Sequence, residues 1–423
     1  MTDVDATVRV ETVPKSGLRT GEIVERAPAE RPTHATVESI AEWLIGPALQ
    51  LASGAQAVDE FAWRMLAAGF PLARVTLHSG TLHPQFLGTT IVWWRDVGQT
   101  VQTFIMHEVG DAIPYEKNVA LRVIRGGETL RRRIGAGDSD LDLPILYDIQ
   151  ARGCTDYLAL PITGAHDRHY AVTYATDRGT GFSTREVDAL TSISRWLAST
   201  CDTFSQRALT RNLLTAYVGT RAGPKVLDGQ IRRGTGEELN VVLWSSDLRD
   251  FTARSDRLPG KQMVAILNAL FEVQAQAIRD HGGEILKFIG DGLLAIFPID
   301  AIATAAVAAG HAMDAAREAL VAVRGLGSDP SMVGEPALEI VVALHAGTVI
   351  YGNVGAADRL DFTVIGPAVN LVSRVEHVAK ALDEPIVVTD DFARAYGGAL
   401  RTVGRHTMRG LSISRELFAP ATA

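Results

Sequence analysis

The sequence predicts an α+β protein with two compact domains joined by a helical segment. Three observations support this class. The chain has 423 residues, enough for two or three domains. Short apolar runs of strand length occur together with longer stretches in which apolar residues recur at helical spacing. The composition, 47% hydrophobic and 21% charged, is ordinary for a globular protein.

The composition also limits the function and the compartment. A net charge of -8 argues against a nucleic-acid-binding surface. Two cysteines, Cys154 and Cys201, suggest a reducing compartment rather than a disulfide framework. Since no run of about 18 apolar residues occurs, no transmembrane helix is expected. The acidic N-terminus lacks the apolar stretch of a secretory signal. We therefore expect a cytoplasmic protein with no nucleic-acid or membrane partner.

The first domain is predicted to begin after a flexible leader. Residues 1–34 are polar and rich in proline, which is typical of a segment that does not pack. Helical spacing of apolar residues then begins at Thr36 and again at Val58. Strand-like runs surround a glycine-rich middle. The predicted strands are residues 74–77, 90–94, 103–107, 157–162 and 169–176.

A long helix is predicted to close this domain. Ser183 and Glu186 form a capping box, and the helical pattern continues to about residue 215. Residues 35–203 resemble a GAF domain, because DYLALPITGAHDRHYAVTYATDRGTGFSTREVDALTSISRWLA is similar to the closing strands and final helix of that family. The resemblance implies a regulatory domain that can bind an unknown small ligand or dimerise. Its histidines are expected to be surface or satisfied core residues rather than metal or haem ligands.

Residues 204–236 are predicted to be a helical linker. Leu209, Leu213 and Tyr217 continue an apolar stripe, which ends near Gly219. Near-heptad spacing of this kind is found in dimerising helices. Packing of the same stripe on one neighbouring domain explains the pattern equally well, so both interpretations stay open.

Residues 237–423 predict a second α+β domain with a ferredoxin-like core. Its first strand is followed by a helix, a hairpin, a helix and a strand, which is the β-α-β-β-α-β order of that arrangement. The core elements are strand 240–244, helix 256–280, hairpin 284–297, helix 301–323 and strand 338–344; strand 361–365, helix 369–382 and strand 385–388 follow.

Two aspartates are expected to meet at one edge of this sheet. Asp247 ends the first strand, and Asp291 lies in the hairpin turn between Gly290 and Gly292, where glycines permit close approach. The first strand of a ferredoxin-like sheet lies beside the hairpin, so the two carboxylates become neighbours. They repel each other unless a cation joins them, and Mg²⁺ prefers one or two carboxylates with substrate phosphates. Ordinary turn chemistry is the alternative for Asp291 alone.

Three segments of the second domain closely resemble class III adenylate and guanylate cyclases. WSSDLRDFT is similar to the first metal-binding segment of that family, GGEILKFIGDGLLAIFP to the second, and LDFTVIGPAVNLVSRVE to the third. Their order and spacing are intact over residues 238–420. The resemblance implies a nucleotide cyclase of the subgroup that carries threonine at a purine-reading position. A diguanylate cyclase is excluded because its GGDEF turn reads IGDG here.

The resemblance implies a metal site and a nucleotide. By position, Asp247 and Asp291 match the metal-binding aspartates, which hold two Mg²⁺ or Mn²⁺ ions per site. Lys287 and Thr363 match the residues that read the purine. A lysine can donate to adenine N1 and a threonine hydroxyl can accept from the 6-amino group, so this combination favours ATP. Lys287 taken alone is also compatible with a solvated strand residue.

The resemblance also implies residues for the transition state and the phosphates. Asn370 and Arg374 match the transition-state pair and, being four residues apart, share one helix face. The alternatives are a helix N-cap for Asn370 and an exposed helix face for Arg374 and Glu376. Arg409, in MRGL, matches the basic residue that holds the terminal phosphates. Backbone amides are expected to cradle phosphate at a helix start; the predicted residues are Leu248, Arg249, Asp250, Phe251 and Thr252.

The expected activity is conversion of ATP to cyclic AMP and pyrophosphate under control of the N-terminal domain. In the family, each site lies between two catalytic domains. This chain carries both halves of a site in one domain, so a head-to-tail homodimer is expected, with its active sites at the subunit interface. Two alternatives remain: a guanylate cyclase, or a catalytically silent regulator that binds nucleotide and dimerises.

Overall fold

Two compact units make up the chain, Met1–Leu213 and Leu214–Ala423. Each unit contains its own β-sheet and its own hydrophobic core. Within the described part of the chain, no helix is long and apolar enough to cross a membrane. The computed structural model describes residues 17–81, 86–107, 114–135, 141–328, 332, 335–356, 358–408 and 414–421.

The N-terminal unit is built on a seven-stranded antiparallel sheet. Its strands are β1 Leu18–Glu25, β2 Arg74–Gly80, β3 Phe86–Trp94, β4 Gln99–Met106, β5 Leu130–Arg133, β6 Asp156–Thr163 and β7 His169–Thr176. They are ordered β1-β4-β3-β2-β7-β6-β5 across the sheet. The five strands predicted for this region are all present, with bounds that differ by a few residues.

Helices cover both faces of this sheet, because alternate residues of each strand point to opposite sides. Tyr174 faces one core, which it shares with Phe61 and Leu190, while Ala171 faces the other core beside Val123. The helices are α1 Val37–Leu44, α2 Gly54–Ala67 and α5 Thr184–Val218, which contribute to the first core, and α3 Val119–Gly126 and α4 Pro144–Ala151, which contribute to the second. The predicted α+β sandwich is therefore correct, and its assignment as a GAF-like domain stays a prediction.

The prediction of a flexible leader is wrong for its second half. Leu18–Glu25 forms the edge strand β1, which pairs with β4 from Leu18 beside Ile105 to Glu25 beside Gln99. The stabilising hydrogen bonds come from β4, about 80 residues further along the chain, so local composition did not reveal them. Residues 1–16 lie outside the described residues.

The glycine-rich middle of this unit, predicted as loop, contains three further elements, α3, β5 and α4.

An eight-stranded sheet forms the C-terminal unit. Its strands are β8 Gly236–Leu248, β9 Glu284–Ile289, β10 Gly292–Pro298, β11 Ile340–Gly355, β12 Leu360–Ile365, β13 Ile386–Thr389, β14 Leu400–His406 and β15 Arg415–Pro420. The order is β14-β15-β13-β11-β8-β10-β9, and β12 pairs with β11. Its part β11-β8-β10-β9 is antiparallel and confirms the predicted ferredoxin-like core.

Helices lie on both faces of the second sheet. Trp244 shares a core with α8 and α9, whereas Leu243 shares the other core with α6 and α10. By the two-residue alternation of a strand, Ser245 and Asp247 point to the same side as Leu243, toward α10. The helices are α6 Ala222–Leu227, α7 Phe251–Arg257, α8 Gly260–Asp280, α9 Ala305–Gly325, α10 Pro367–Leu382 and α11 Asp390–Tyr396.

Two predicted segments have different bounds in the structure. The single helix expected over residues 256–280 is divided into α7 and α8, because Pro259 disfavours helical backbone at Leu258, which is extended with φ -90° and ψ 147°. The linker expected over residues 204–236 starts within α5. Ala222, inside the same segment, is fully buried in the C-terminal core. The second half of this segment therefore packs as part of the C-terminal unit.

Candidate active site

The structure brings Asp247 and Asp291 together. Asp247 is the penultimate residue of β8, which runs antiparallel to β10, and Leu293 of β10 lies beside Ser246. Asp291 occupies the β9–β10 turn, close enough to Asp247 for the two carboxyl groups to interact electrostatically. Burial and, next, this neighbouring carboxylate raise the pKa of Asp291 from its usual 3.8 to about 6. The site therefore holds two acidic groups that resist being charged at the same time.

Glycine at position 292 permits this close approach. A Cβ atom there would lie 2.9 Å from the backbone oxygen of Ser246 and 3.5 Å from Oδ1 of Asp247. The first distance is shorter than real Cβ contacts allow, and its partner is backbone that cannot rotate away. The Gly-Asp-Gly turn seen in the sequence thus has a packing reason at its second glycine.

Two further charged residues lie beside Asp247. Lys380 was not predicted as part of the site, and the alternative that placed Glu376 on an exposed helix face is wrong because its side chain is buried. The ammonium group of Lys380 contacts the Asp247 carboxylate and lies 3.8 Å from Oε1 of Glu376. Glu376 is 7% exposed, and its Oε2 accepts a hydrogen bond of 3.1 Å from Ser245 Oγ. Burial and then Asp247 raise the pKa of Glu376. Their spacing of four residues on a helix was a visible signal, but only the packing of α10 on the sheet aims them at Asp247.

The aspartate pair fits a hard divalent cation. Carboxylate oxygens are the donors that Mg²⁺ and Mn²⁺ prefer, and a dication would remove the repulsion that raises the pKa of Asp291. In the described part of the chain, no group of three or more His, Cys, Asp or Glu side chains is arranged to hold a metal ion. Asp247 and Asp291 would therefore share the ion with ligands from outside the protein, such as phosphate oxygens or water.

The predicted phosphate cradle is divided into two parts. The amide of Leu248 donates to Asp247 Oδ1 at 3.1 Å, and the amide of Arg249 donates to the Glu339 carbonyl oxygen at 2.8 Å. Both groups are thus engaged with the protein itself.

The second part of the cradle is the start of α7. Asp250 adopts left-handed backbone with φ 56° and precedes the helix. Phe251 and Thr252 are its first two residues, so their amides have no acceptor within it. Arg409, the predicted residue for the terminal phosphates, lies outside the described residues.

The two predicted purine-reading residues come from neighbouring parts of the sheet. Lys287 lies on β9, and its ammonium group contacts the carboxylate of Asp361 on β12. Thr363 lies beside Gly352 in the β11–β12 pairing and is 7% exposed. Asp361 and Thr363 are two residues apart, so they point to the same face of β12. Contact with Asp361 therefore holds Lys287 against the strand that carries Thr363.

Asn370 and Arg374 lie on the outer side of α10. The helix begins after Gly366, its N-cap, so the alternative of an N-cap role for Asn370 is wrong. Asn370 is exposed and Arg374 is half-buried. At 3.6 residues per turn, this pair lies about 150° around the helix axis from the centre of the buried stripe. The buried residues of α10 are Ala368, Leu371, Val372, Val375, Glu376 and Ala379. The pair therefore points away from the aspartates of its own chain.

The second domain is also similar in sequence to known proteins. The family model for the adenylate and guanylate cyclase catalytic domain matches residues 236–410. The terminal-differentiation-specific adenylate cyclase of Dictyostelium discoideum is 31% identical over 185 residues, 42% of this chain and 8% of that protein. The adenylate cyclase of Anabaena cylindrica is 30% identical over 164 residues, 39% of this chain and 32% of that protein.

The chain therefore spans less than a third of the length of the D. discoideum relative, and about a third of that of the A. cylindrica relative. A crystal structure of the guanylyl cyclase Cya2 is similar with a TM-score of 0.39 and 28% identity, covering 43% of this chain and 92% of that one. The range matched by the family model contains Asp247, Asp291, Lys287, Thr363, Asn370 and Arg374. Residues 236–410 of this chain thus match the family model of the adenylate and guanylate cyclase catalytic domain.

Proposed function

We propose that the chain is an adenylate cyclase, which converts ATP to 3′,5′-cyclic AMP and pyrophosphate. The observation that carries this proposal is the contact between Asp247 and Asp291 inside a nucleotide cyclase domain. The site residues that the resemblance implies all lie in the described part of this domain, apart from Arg409. A catalytically silent regulator is the less favoured candidate for that reason.

In the proposed reaction, the ribose 3′-oxygen attacks the α-phosphorus of ATP. A new P–O bond forms, the bond to pyrophosphate breaks, and the 3′-hydroxyl proton is lost. Two Mg²⁺ or Mn²⁺ ions held by Asp247 and Asp291 would stabilise the attacking and leaving oxygens. Arg374 offsets the charge that grows on the phosphoryl oxygens, and Asn370 orients the ribose. The amide groups at the start of α7 hold phosphate oxygens.

Selection of adenine is proposed to depend on Lys287 and Thr363. The lysine donates to N1 of adenine, an acceptor that guanine lacks because its N1 carries a proton. Contact with Asp361 supports this role because it restrains the position of the lysine. The hydroxyl of Thr363 accepts from the 6-amino group but is also able to donate, so some activity on GTP is compatible with the site.

We propose that the active unit is a head-to-tail homodimer. Asp247 lies on the sheet side of α10 and Arg374 on the outer side, so one chain does not bring both to the same nucleotide. Exposed apolar side chains on three neighbouring strands support contact with a second copy, since exposed apolar groups are typical of interfaces. We call these side chains of β9, β11 and β12 the β9–β12 patch; they belong to Phe288, Ile289, Ile350, Val354, Leu360 and Ile365.

Product analysis with ATP and GTP in competition tests the activity. With Mg²⁺ or Mn²⁺ present, we expect cyclic AMP as the main product and a higher kcat/KM for ATP. The Asp291→Asn variant is the control and should give neither product. Cyclic GMP as the main product would make the chain a guanylate cyclase. The absence of both products would favour the alternative of a catalytically silent regulator.

Mixing of two inactive variants tests the shared site. Asp247→Ala lacks a metal ligand and Arg374→Ala lacks a transition-state residue, so each homodimer should be inactive. A mixed dimer has one intact site, and we expect activity to return to about a quarter of the wild-type rate, since half of the dimers are mixed and each has one site of two. No recovery after demonstrated subunit exchange would contradict a shared site.

The N-terminal unit is proposed to regulate the cyclase as a GAF-like domain that binds an unknown small ligand. Its support is architectural: a sheet covered by helices on both faces, from whose core α5 continues to Val218. We expect the full chain and a chain starting at residue 204 to differ in rate when compared at equal dimer fraction. Equal rates under all conditions, including addition of candidate ligands, would contradict this regulatory role.

A further inference from the structure

A cation of the protein itself lies at the aspartate pair. Lys380 of α10 extends its ammonium group to Oδ2 of Asp247, and the Asp247 carboxylate lies beside Asp291. The side chains of Lys380 and Asp247 are 36% and 20% exposed, so the contact is partly shielded from water. It therefore offsets part of the repulsion between the two carboxylates.

A second carboxylate lies close to the same ammonium group. Oε1 of Glu376 is buried and finds no hydrogen-bond partner among the described residues. Lys380 Nζ lies 3.8 Å from this atom, too far for a hydrogen bond. An unpartnered buried carboxylate oxygen is energetically costly, so a donor that reaches Oε1 of Glu376 would be stabilised there. One lysine thus has two acceptors within reach and contacts only one of them closely.

We infer that Lys380 is an exchangeable counter-ion of the metal site. In the metal-free chain its ammonium group neutralises Asp247. When a divalent cation binds to Asp247 and Asp291, the ammonium group is repelled and moves about 1 Å to hydrogen-bond Oε1 of Glu376. Glu376 is then the acceptor that receives the displaced charge. This inference rests on the proposed metal site, although it does not depend on which nucleotide is used.

Two other roles for Lys380 make different predictions. A lysine that binds substrate phosphate would not affect metal binding in the absence of nucleotide. A lysine that only ties α10 to the sheet would not compete with metal either. A counter-ion competes with the metal for Asp247, so its removal must strengthen metal binding without nucleotide.

Binding of Mn²⁺ alone, followed by electron paramagnetic resonance of the free ion, tests the exchange. We expect Lys380→Met to bind Mn²⁺ about threefold to tenfold more tightly than the wild-type chain, the range set by a partly buried ion pair. Glu376→Gln should bind about threefold more weakly, because the displaced ammonium group loses its charged acceptor. Lys261→Met, an exposed lysine at the start of α8, is the matched control and should bind as the wild type does.

Unchanged or weaker Mn²⁺ binding in Lys380→Met would overturn the inference. The absence of Mn²⁺ binding in every variant would also count against it.

A double-mutant cycle of Lys380→Met and Asp247→Asn, measured as unfolding temperature in EDTA, checks the contact between the two residues in the metal-free chain. The two effects should be non-additive, and additivity rejects the pairing. If Lys380→Met fails to fold, Lys380→Gln takes its place. Mn²⁺ binding in the expected pattern without any cyclic nucleotide product would reject only the proposed activity.

Discussion

At the scale of single residues, the chemistry of the candidate site follows from carboxylates placed close together. Asp291 is protonated more readily than an ordinary aspartate because burial and Asp247 both disfavour its charge. A side chain in this state does not bind a cation until it loses its proton. Once the proton is lost, repulsion between the two carboxylates makes cation binding favourable. We therefore expect occupancy of the site by a cation to depend on pH.

Binding of metal should therefore depend on pH. Because the pKa of Asp291 is raised to about 6 in the fold, the metal-free chain keeps its proton where the unfolded chain has lost it, and stability falls as pH rises from about 4 to 6. Mn²⁺ must displace this proton, so its affinity should rise about tenfold per pH unit up to about pH 6 and then level off. Titrations between pH 5 and 8 check this, and a constant affinity between pH 5 and 6 would contradict it.

Nucleotide preference should change with two substitutions. Lys287→Glu and Thr363→Cys together replace a donor by an acceptor and remove the hydroxyl, which suits guanine N1–H and O6 better than adenine. We expect kcat/KM for ATP to fall about 100-fold and the preference to move toward GTP, since an unpaired polar group at a specificity site is costly. Steady-state kinetics with both nucleotides measure this change.

Asp361→Asn should lower kcat/KM for ATP by a smaller factor, because it only removes the contact that restrains Lys287.

At the scale of elements, the β9–β10 hairpin positions Asp291 through its glycines. The turn approaches β8 so closely that a side chain at position 292 would meet the backbone of Ser246. Helix α10 has an equally specific role, since it presents Lys380 to Asp247 on one side and Arg374 about 120° further around its axis. One helix therefore contributes to two different places on the surface of the domain.

One added methyl group tests the close packing of the β9–β10 turn against β8. Gly292→Ala should lower the free energy of unfolding by about 1–3 kcal/mol, because β8 and β10 must separate to admit the Cβ. Cyclase activity of the Gly292→Ala variant should also fall, because the shifted turn moves Asp291 away from Asp247. Gly260→Ala, at the first position of α8 with no atom within 4 Å of the added Cβ, is the control and should be neutral. Equal unfolding midpoints for the two variants in denaturant titrations would refute the packing argument.

At the scale of the whole molecule, the function proposed for this chain requires two copies. Asn370 and Arg374 point away from the aspartate pair of their own chain, and side chains of the β9–β12 patch lie on β9 and β12, the strands that carry Lys287 and Thr363. A second copy would cover this patch and at the same time complete the site.

A charge introduced into the patch should separate the copies. Ile289→Asp places a carboxylate on a side chain that is 59% exposed in the single chain, and we expect a loss of dimer and at least a tenfold loss of activity at equal protein concentration. Val264→Asp, on α8 with a similar exposure of 58%, should change neither. Sedimentation velocity and turnover assays measure both effects. A dimeric, active Ile289→Asp chain would place the interface elsewhere.

The sequence by itself determined the core of the C-terminal fold and the meeting of Asp247 with Asp291. Buried strands, amphipathic helices and a Gly-Asp-Gly turn are local signals, and the ferredoxin-like order fixes which strands are neighbours. Three motifs in family order were enough to indicate the chemistry. Prediction of the capping box at Ser183 and Glu186 succeeded for the same reason, because its hydrogen bonds lie within four residues.

Only the tertiary structure decided which side chains surround these motifs. The strand β1 was hidden because its partner β4 is distant in sequence, and the break at Pro259 divided a helix that the apolar pattern treated as continuous. Lys380 and Glu376 carried no motif, and their role arises from the rotation of α10 against the sheet. That rotation depends on packing of the buried side of the helix, which brings together residues about 130 positions apart in the chain.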